Sequence, residues 1–130
     1  MSGENVDKLR RAYEAFNRGD FDTAIEIAHP DVEFVRVGGQ APVLGADAFR
    51  AWMEPDAIEE LRIEPLEFRT NGNRVLVRQL NRARGAGSGI ELELEAWTVW
   101  TLDEDGLATR VEGFAGHQRN EAFAAAGLSE

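Results

Sequence analysis

Arg78 and Arg82 lie four residues apart in a segment of alternating character, so on a strand they share one face, and Arg36 falls near the end of the apolar run that begins at Val32. A guanidinium is charged at any working pH, and burying it alone costs several kcal/mol, so each needs a carboxylate, solvent or an anionic ligand. With aromatic side chains such as Phe34, Trp52 and Trp100 to stack against a ring, such arginines suit a small aromatic or aliphatic molecule bearing a carboxylate or phenolate. The same residues allow a second arrangement. Glu91, Glu93 and Glu95 alternate with Ile90, Leu92 and Leu94, and Arg74, Arg78, Arg82 and Arg84 could face those carboxylates in an exposed ladder. The parity of one strand separates the two.

Other reactive types are sparse. His29 precedes Pro30 and reads as a residue at the end of a helix, where a cation complements the dipole. His117 sits between the last strand and the last helix, either as a solvent-facing linker or as an acid/base group at a pocket mouth. Neither histidine has a partner at metal-ligand spacing, and without cysteine there is no thiolate zinc site or cysteine nucleophile. No metal and no cofactor is expected. Asp31 reads as a turn residue, and Glu33 has the opposite parity to Phe34 and Arg36. The glycines of Gly85-Ala86-Gly87-Ser88-Gly89 join two strands and lack a following lysine, so they make a hairpin tip and not a phosphate cradle. Ser2, Ser88 and Ser129 are placed in termini or loops, and no Gly-x-Ser-x-Gly motif occurs.

The elements around these residues must come from 130 residues with 14 Lys+Arg against 24 Asp+Glu, a net charge of −10. A chain of this length buries roughly two thirds of its unfolded surface, enough for a core with an internal pocket. The acidic balance argues against nucleic acid and anionic membrane as partners. No run approaches the ~18 apolar residues of a spanning helix and no leader pattern is visible, so a cytoplasmic protein is expected.

Val6, Leu9, Tyr13 and Phe16 recur at helical spacing behind Asn5 as N-cap, and Gly19 ends that helix. Asp20 caps a second, from Phe21 to about Ala28. Val32 to Val37 reads as a strand ended by Gly38-Gly39; Phe49, Trp52 and Met53 form the apolar face of a third helix, interrupted by Pro55 before a short piece ending near Leu61. The period then falls to 2. Ile63 to Thr70, Arg74 to Arg84, Ile90 to Leu102 and Leu107 to Ala115 are predicted antiparallel strands, and Gln118 to Ala126 a closing helix ended by Gly127. Trp97 and Val99 make the outer sheet face apolar, which suggests a partner subunit there and hence a homodimer.

This order, with the segments Tyr13-Glu14-Ala15-Phe16-Asn17-Arg18-Gly19-Asp20-Phe21-Asp22, His29-Pro30-Asp31-Val32-Glu33-Phe34, Val99-Trp100-Thr101-Leu102-Asp103-Glu104-Asp105-Gly106 and Glu121-Ala122-Phe123-Ala124-Ala125-Ala126-Gly127-Leu128, resembles the nuclear transport factor 2-like superfamily. SnoaL-type polyketide cyclases, ketosteroid isomerases and limonene epoxide hydrolase belong to it, and the final helix is most similar to SnoaL-like members. The resemblance implies an α+β roll, a cone-shaped curved antiparallel sheet wrapped around three N-terminal helices, as one SnoaL-like domain over residues 1–130. Its cone would enclose an apolar cavity in which the projecting polar side chains decide the chemistry.

The isomerase residues do not carry over. Laying the Gly19-Asp20 turn on the family's equivalent puts the catalytic tyrosine at Ala12, with Tyr13 about 100° round the helix. The general base falls at Arg36 and the late-strand acid at Thr98. The aspartate pair of the epoxide hydrolase has no counterpart on the inner strand positions. Carried along the strands, the same register turns Phe34, Arg36, Leu76, Arg78, Leu80, Arg82, Ala96, Thr98, Trp100, Val111, Gly113 and Ala115 inward, under Trp52. The ligand-binding set is then Arg36, Trp52, Arg78, Arg82, Thr98 and Trp100. The resemblance implies a small, mostly apolar ligand, to which the arginines add an anionic group, with isomerase, cyclase or hydrolase chemistry; the alternative is a non-catalytic ligand-binding or dimeric interaction module of the same fold.

Overall fold

The computed structural model describes residues 2–37, 41–53, 58–85 and 87–129. Helix α1, Ser2–Asn17, starts before Asn5, which lies inside it, and Ser2 opens it. It ends at Gly19, whose φ of 81° is the left-handed conformation that glycine adopts without strain. Asn17 fixes where α1 lies. Its amide donates to Ile63 O and accepts from Ile63 N, both at 2.8 Å, so one side chain replaces a strand neighbour on the sheet edge. Asp20 then caps α2, Phe21–Ala24, by accepting from Thr23 N at 3.2 Å, and a 3-10 turn over Ile25–Ile27 follows.

The sheet has the order β2-β1-β6-β5-β4-β3, with β1 Ala28–Val35, β2 Val43–Leu44, β3 Ile58–Asn71, β4 Arg74–Gly85, β5 Glu91–Leu102 and β6 Ala108–Ala115. It is mixed, because β1 runs parallel to β6 while the other pairs are antiparallel. Helix α3, Ala46–Trp52, lies between β2 and β3, and α4, Arg119–Ala126, closes the chain before Gly127 at φ 71°. Other expectations change as well. The second helix ends at Ala24 and Ala28 already belongs to β1, which stops at Val35; His29 lies in β1 and accepts from Asp31 N through Nδ1, so it caps no helix; residues 58–61 are strand, not a helical piece; and β2 was not expected. Gly38-Gly39 and Pro55 lie outside the described residues.

The two faces are filled differently. The inner face packs Leu9, Tyr13 and Phe16 of α1 against Val32, Phe34, Val75, Val77, Trp100 and Val111, with Phe49 and Met53 from the α3 side. On the outer face Leu76, Trp97 and Val99 pack under Ala122, Phe123 and Ala126 of α4. The apolar outer patch that suggested a partner subunit is therefore covered by this chain's own last helix. Beyond the helices β4 and β5 continue as an arm on which Ile90, Leu92 and Leu94 remain exposed. A register shift between Pro65 and Glu67 in β3 changes which parity faces in: Ile63 is inward before it and Phe68 after it. No helix among the described residues is long and apolar enough to cross a membrane.

Candidate functional site

A cavity of about 340 Å³ lies between α1, α3 and the inner sheet face. Its apolar wall includes Ala12, Phe16, Phe34, Phe49, Trp52, Ile63 and Val111. The rings are mutually braced: the Phe34 centroid is 4.7 Å from Phe49 and 4.8 Å from Trp52, the latter edge to face. Each ring of the wall is thus supported by a neighbouring ring.

Opposite these rings lies one hydrogen-bonded chain. Trp100 Nε1 donates to Tyr13 Oη at 3.1 Å, Tyr13 Oη donates to Gln79 Oε1 at 3.0 Å, and Thr98 Oγ1 donates to the same oxygen at 2.8 Å. Gln79 Nε2 then donates to Asn81 Oδ1 at 2.9 Å. Gln79 and Thr98 are buried, and such a network is stable only when its members satisfy one another. Burial pushes the Tyr13 hydroxyl well above the ordinary phenol range, with the Trp100 hydrogen bond acting in the opposite direction. Tyr13 is thus a neutral donor inside the wall. Arg36 lines the cavity, donates through Nη2 to Ala41 O at 3.1 Å, and has its Nε buried with no hydrogen-bond partner among the described residues.

Arg36, Trp52, Thr98 and Trp100 all line the cavity, as do Phe34, Ala96, Val111 and Gly113. Arg78 and Arg82 do not. Arg78 points outward, with Glu67 and Glu95 each 3.5 Å away, and Arg82 meets Glu93 at 3.0 Å and Glu64 at 3.7 Å. Leu76 and Leu80 share that outer parity. The physical reason is the cost of an inward guanidinium. One residue of parity puts neutral amides, Gln79 and Asn81, inside and gives each arginine carboxylates outside. The Arg69 hydrogen bond, with Arg78 behind it, holds Glu67 below the usual carboxylate range.

Sequence reasoning therefore missed Tyr13, Gln79 and Asn81. The signal was present in the hairpin itself. A tip at Gly85–Gly89 sets Arg84 opposite Glu91 and Arg82 opposite Glu93, so each arginine shares a face with a carboxylate. Asp31 and His117 are exposed, and Glu33 pairs with Arg110, so none of these enters the cavity. Among the described residues no group of three His, Asp or Glu is placed to hold a metal ion.

With the geometry in place, the comparisons define the class. Residues 9–111 match the family model for the SnoaL-like domain, and the chain belongs to that family. Among solved structures it is similar to an NTF2-like protein of unknown function from Burkholderia pseudomallei K96243, with 26% identity over 94% of this chain and 96% of the other and a TM-score of 0.77. It is similar to TerC co-crystallised with polyporic acid, with 25% identity over 94% and 96% and a TM-score of 0.74. The epoxide hydrolase/cyclase-like enzyme SalBIII, associated with pyran ring formation in salinomycin, shares the fold at 20% identity over 90% and 94%, with a TM-score of 0.80. No curated protein matches the chain.

Proposed function

We propose that this SnoaL-like domain binds a small, mostly apolar, ring-containing molecule in the cavity and orients it by hydrogen bonds. The observation that carries this is the combination of a hollow about 340 Å³ in volume, braced by Phe34, Phe49 and Trp52, with a polar chain along the opposite wall. Pockets of roughly 300–1,000 Å³, mostly apolar with a few fixed polar groups, are the usual form of small-molecule sites. The TerC co-crystal with a small molecule supports the same reading.

Binding is favoured over proton-transfer chemistry for a specific reason. Among the described residues that line the cavity there is no carboxylate, imidazole or amine, and the buried Tyr13 hydroxyl is held neutral. General acid–base catalysis near neutral pH needs a group that exchanges its proton there. Native mass spectrometry of freshly purified protein tests the proposal. A copurifying small molecule retained by the wild type and lost from Ala12→Phe, which places a ring in the hollow, is the expected result. Equal retention by both proteins places binding elsewhere and overturns it.

A further inference from the structure

The hydrogen-bonded chain has a direction, and the direction determines what it shows a ligand. Trp100 Nε1 can only donate, so the Tyr13 oxygen accepts from it and the Tyr13 hydrogen goes on to Gln79. Were the Gln79 amide turned over, its NH₂ would face both hydroxyls and leave the Tyr13 hydrogen only Thr98 Oγ1 as acceptor, with the Thr98 hydrogen displaced in turn. The observed orientation, with Oε1 receiving both Tyr13 and Thr98, is the one that satisfies the chain. Gln79 Nε2 must then donate to Asn81 Oδ1, which fixes the second amide too. The group left over is Asn81 Nδ2, a donor that makes no hydrogen bond among the described residues, on a residue that lines the cavity.

We infer that Asn81 is the specificity-determining residue of the cavity and that it selects ligands presenting a hydrogen-bond acceptor, a ketone, quinone or enolate oxygen, over ligands presenting a donor. Arg36 points to the same class. Its cationic guanidinium also lines the cavity, and its Nε is buried with no hydrogen-bond partner among the described residues. Both side-chain carbonyl oxygens of the chain are already engaged, Gln79 Oε1 twice and Asn81 Oδ1 once. A ligand that offers N–H or O–H to Asn81 Nδ2 meets a competing hydrogen and forfeits its own bonds to water, and its acceptor there is only the one lone pair of Asn81 Oδ1 that Gln79 leaves open. This inference rests on the proposed binding function and adds the chemical class of ligand.

The test compares two near-isosteric probes, 2-acetylnaphthalene and 2-isopropenylnaphthalene, which differ in a carbonyl oxygen against a methylene. In calorimetric titrations the wild type should bind the ketone about tenfold more tightly. Asn81→Asp preserves the shape and the bond from Gln79 but replaces the donor by an oxygen. It should weaken the ketone about tenfold or more and leave the alkene within about twofold. Asn81→Leu should do the same if the aspartate variant fails to fold. The wild-type Asn81 side-chain NH₂ resonance, assigned by its absence from the variant, should shift with the ketone and stay in place with the alkene. Equal affinities of the wild type for the two probes, or an unchanged ketone affinity in the variants, overturns the inference and leaves cavity binding intact. Binding of neither probe overturns both readings.

Discussion

Trp100 Nε1 lies 3.1 Å from Tyr13 Oη, joining the inner side of β5 to α1 across 87 positions of sequence. Their rings also meet edge to face, at a centroid distance of 6.0 Å. This pair starts the chain that runs through Gln79 to Asn81, so the helix that covers the sheet also aligns the cavity's polar wall. Tyr13→Phe removes the acceptor of one buried donor and a donor to Gln79 while keeping the ring. It should cost about 1–3 kcal/mol of stability, measured by urea unfolding, because buried polar atoms left unpaired lose their solvation without replacement. An unchanged midpoint would show that the chain carries no energetic weight.

Tyr13 is the single tyrosine of the sequence, so tyrosinate absorbance reports one site. Its ordinary value is 10.0, and burial raises it in the folded protein. The sign follows from linkage. The unfolded chain releases this proton near its ordinary value while the folded chain retains it, so the contribution is fully present below pH 10.0 and is lost as pH rises beyond it. Tyrosinate absorbance should therefore appear together with alkaline unfolding, and Tyr13→Phe should flatten that limb of the stability curve. A reversible titration near the ordinary value in the folded protein would contradict the burial.

Arg78 and Arg82 belong to the outer ladder, not to the cavity. Changing either to methionine should leave ligand affinity within about twofold and alter stability by less than about 1 kcal/mol, the range of exposed pairs in salt. A loss of affinity in Arg82→Met would return the guanidinium to the binding site.

The fold was legible because its elements have strong local signals: helical spacing from Val6 to Phe16, alternation after Leu61 and glycine stops at Gly19 and Gly127. The aromatic half of the cavity was legible too, since Phe34, Trp52 and Trp100 are large and apolar. What failed was parity on β4. Val75, Leu76 and Val77 are apolar in succession, so both faces of that strand are buried, one beneath α1 and one beneath α4, and hydrophobicity alone does not distinguish them. Carrying a register from β1 through to β4 compounded this, because β1 meets β6 in parallel and β3 changes parity after Pro65. The cross-strand charges were the better guide. Arg82 opposite Glu93 requires only a hairpin, whereas an inward Arg82 requires an internal partner that no neighbouring strand position supplies.

Trp52 should matter for binding more than for folding. It is half-buried, edge-on to Phe34 at the cavity wall, so Trp52→Ala should lower affinity for naphthalene-sized probes about tenfold, read by calorimetric titration. Phe49, buried deeper in the same cluster, should on truncation cost about 3–5 kcal/mol of stability instead. Unchanged affinity in Trp52→Ala would remove that ring from the site.

The hollow between α1, α3 and the inner strands is tested most directly by a crystal of the protein soaked with 2-bromonaphthalene and read for anomalous bromine scattering. A peak inside the cavity, in contact with Phe34, Trp52 or Trp100, is the predicted result. Bromine found only on the exposed ridge of Ile90, Leu92 and Leu94, with the interior unoccupied at saturating probe, would contradict it.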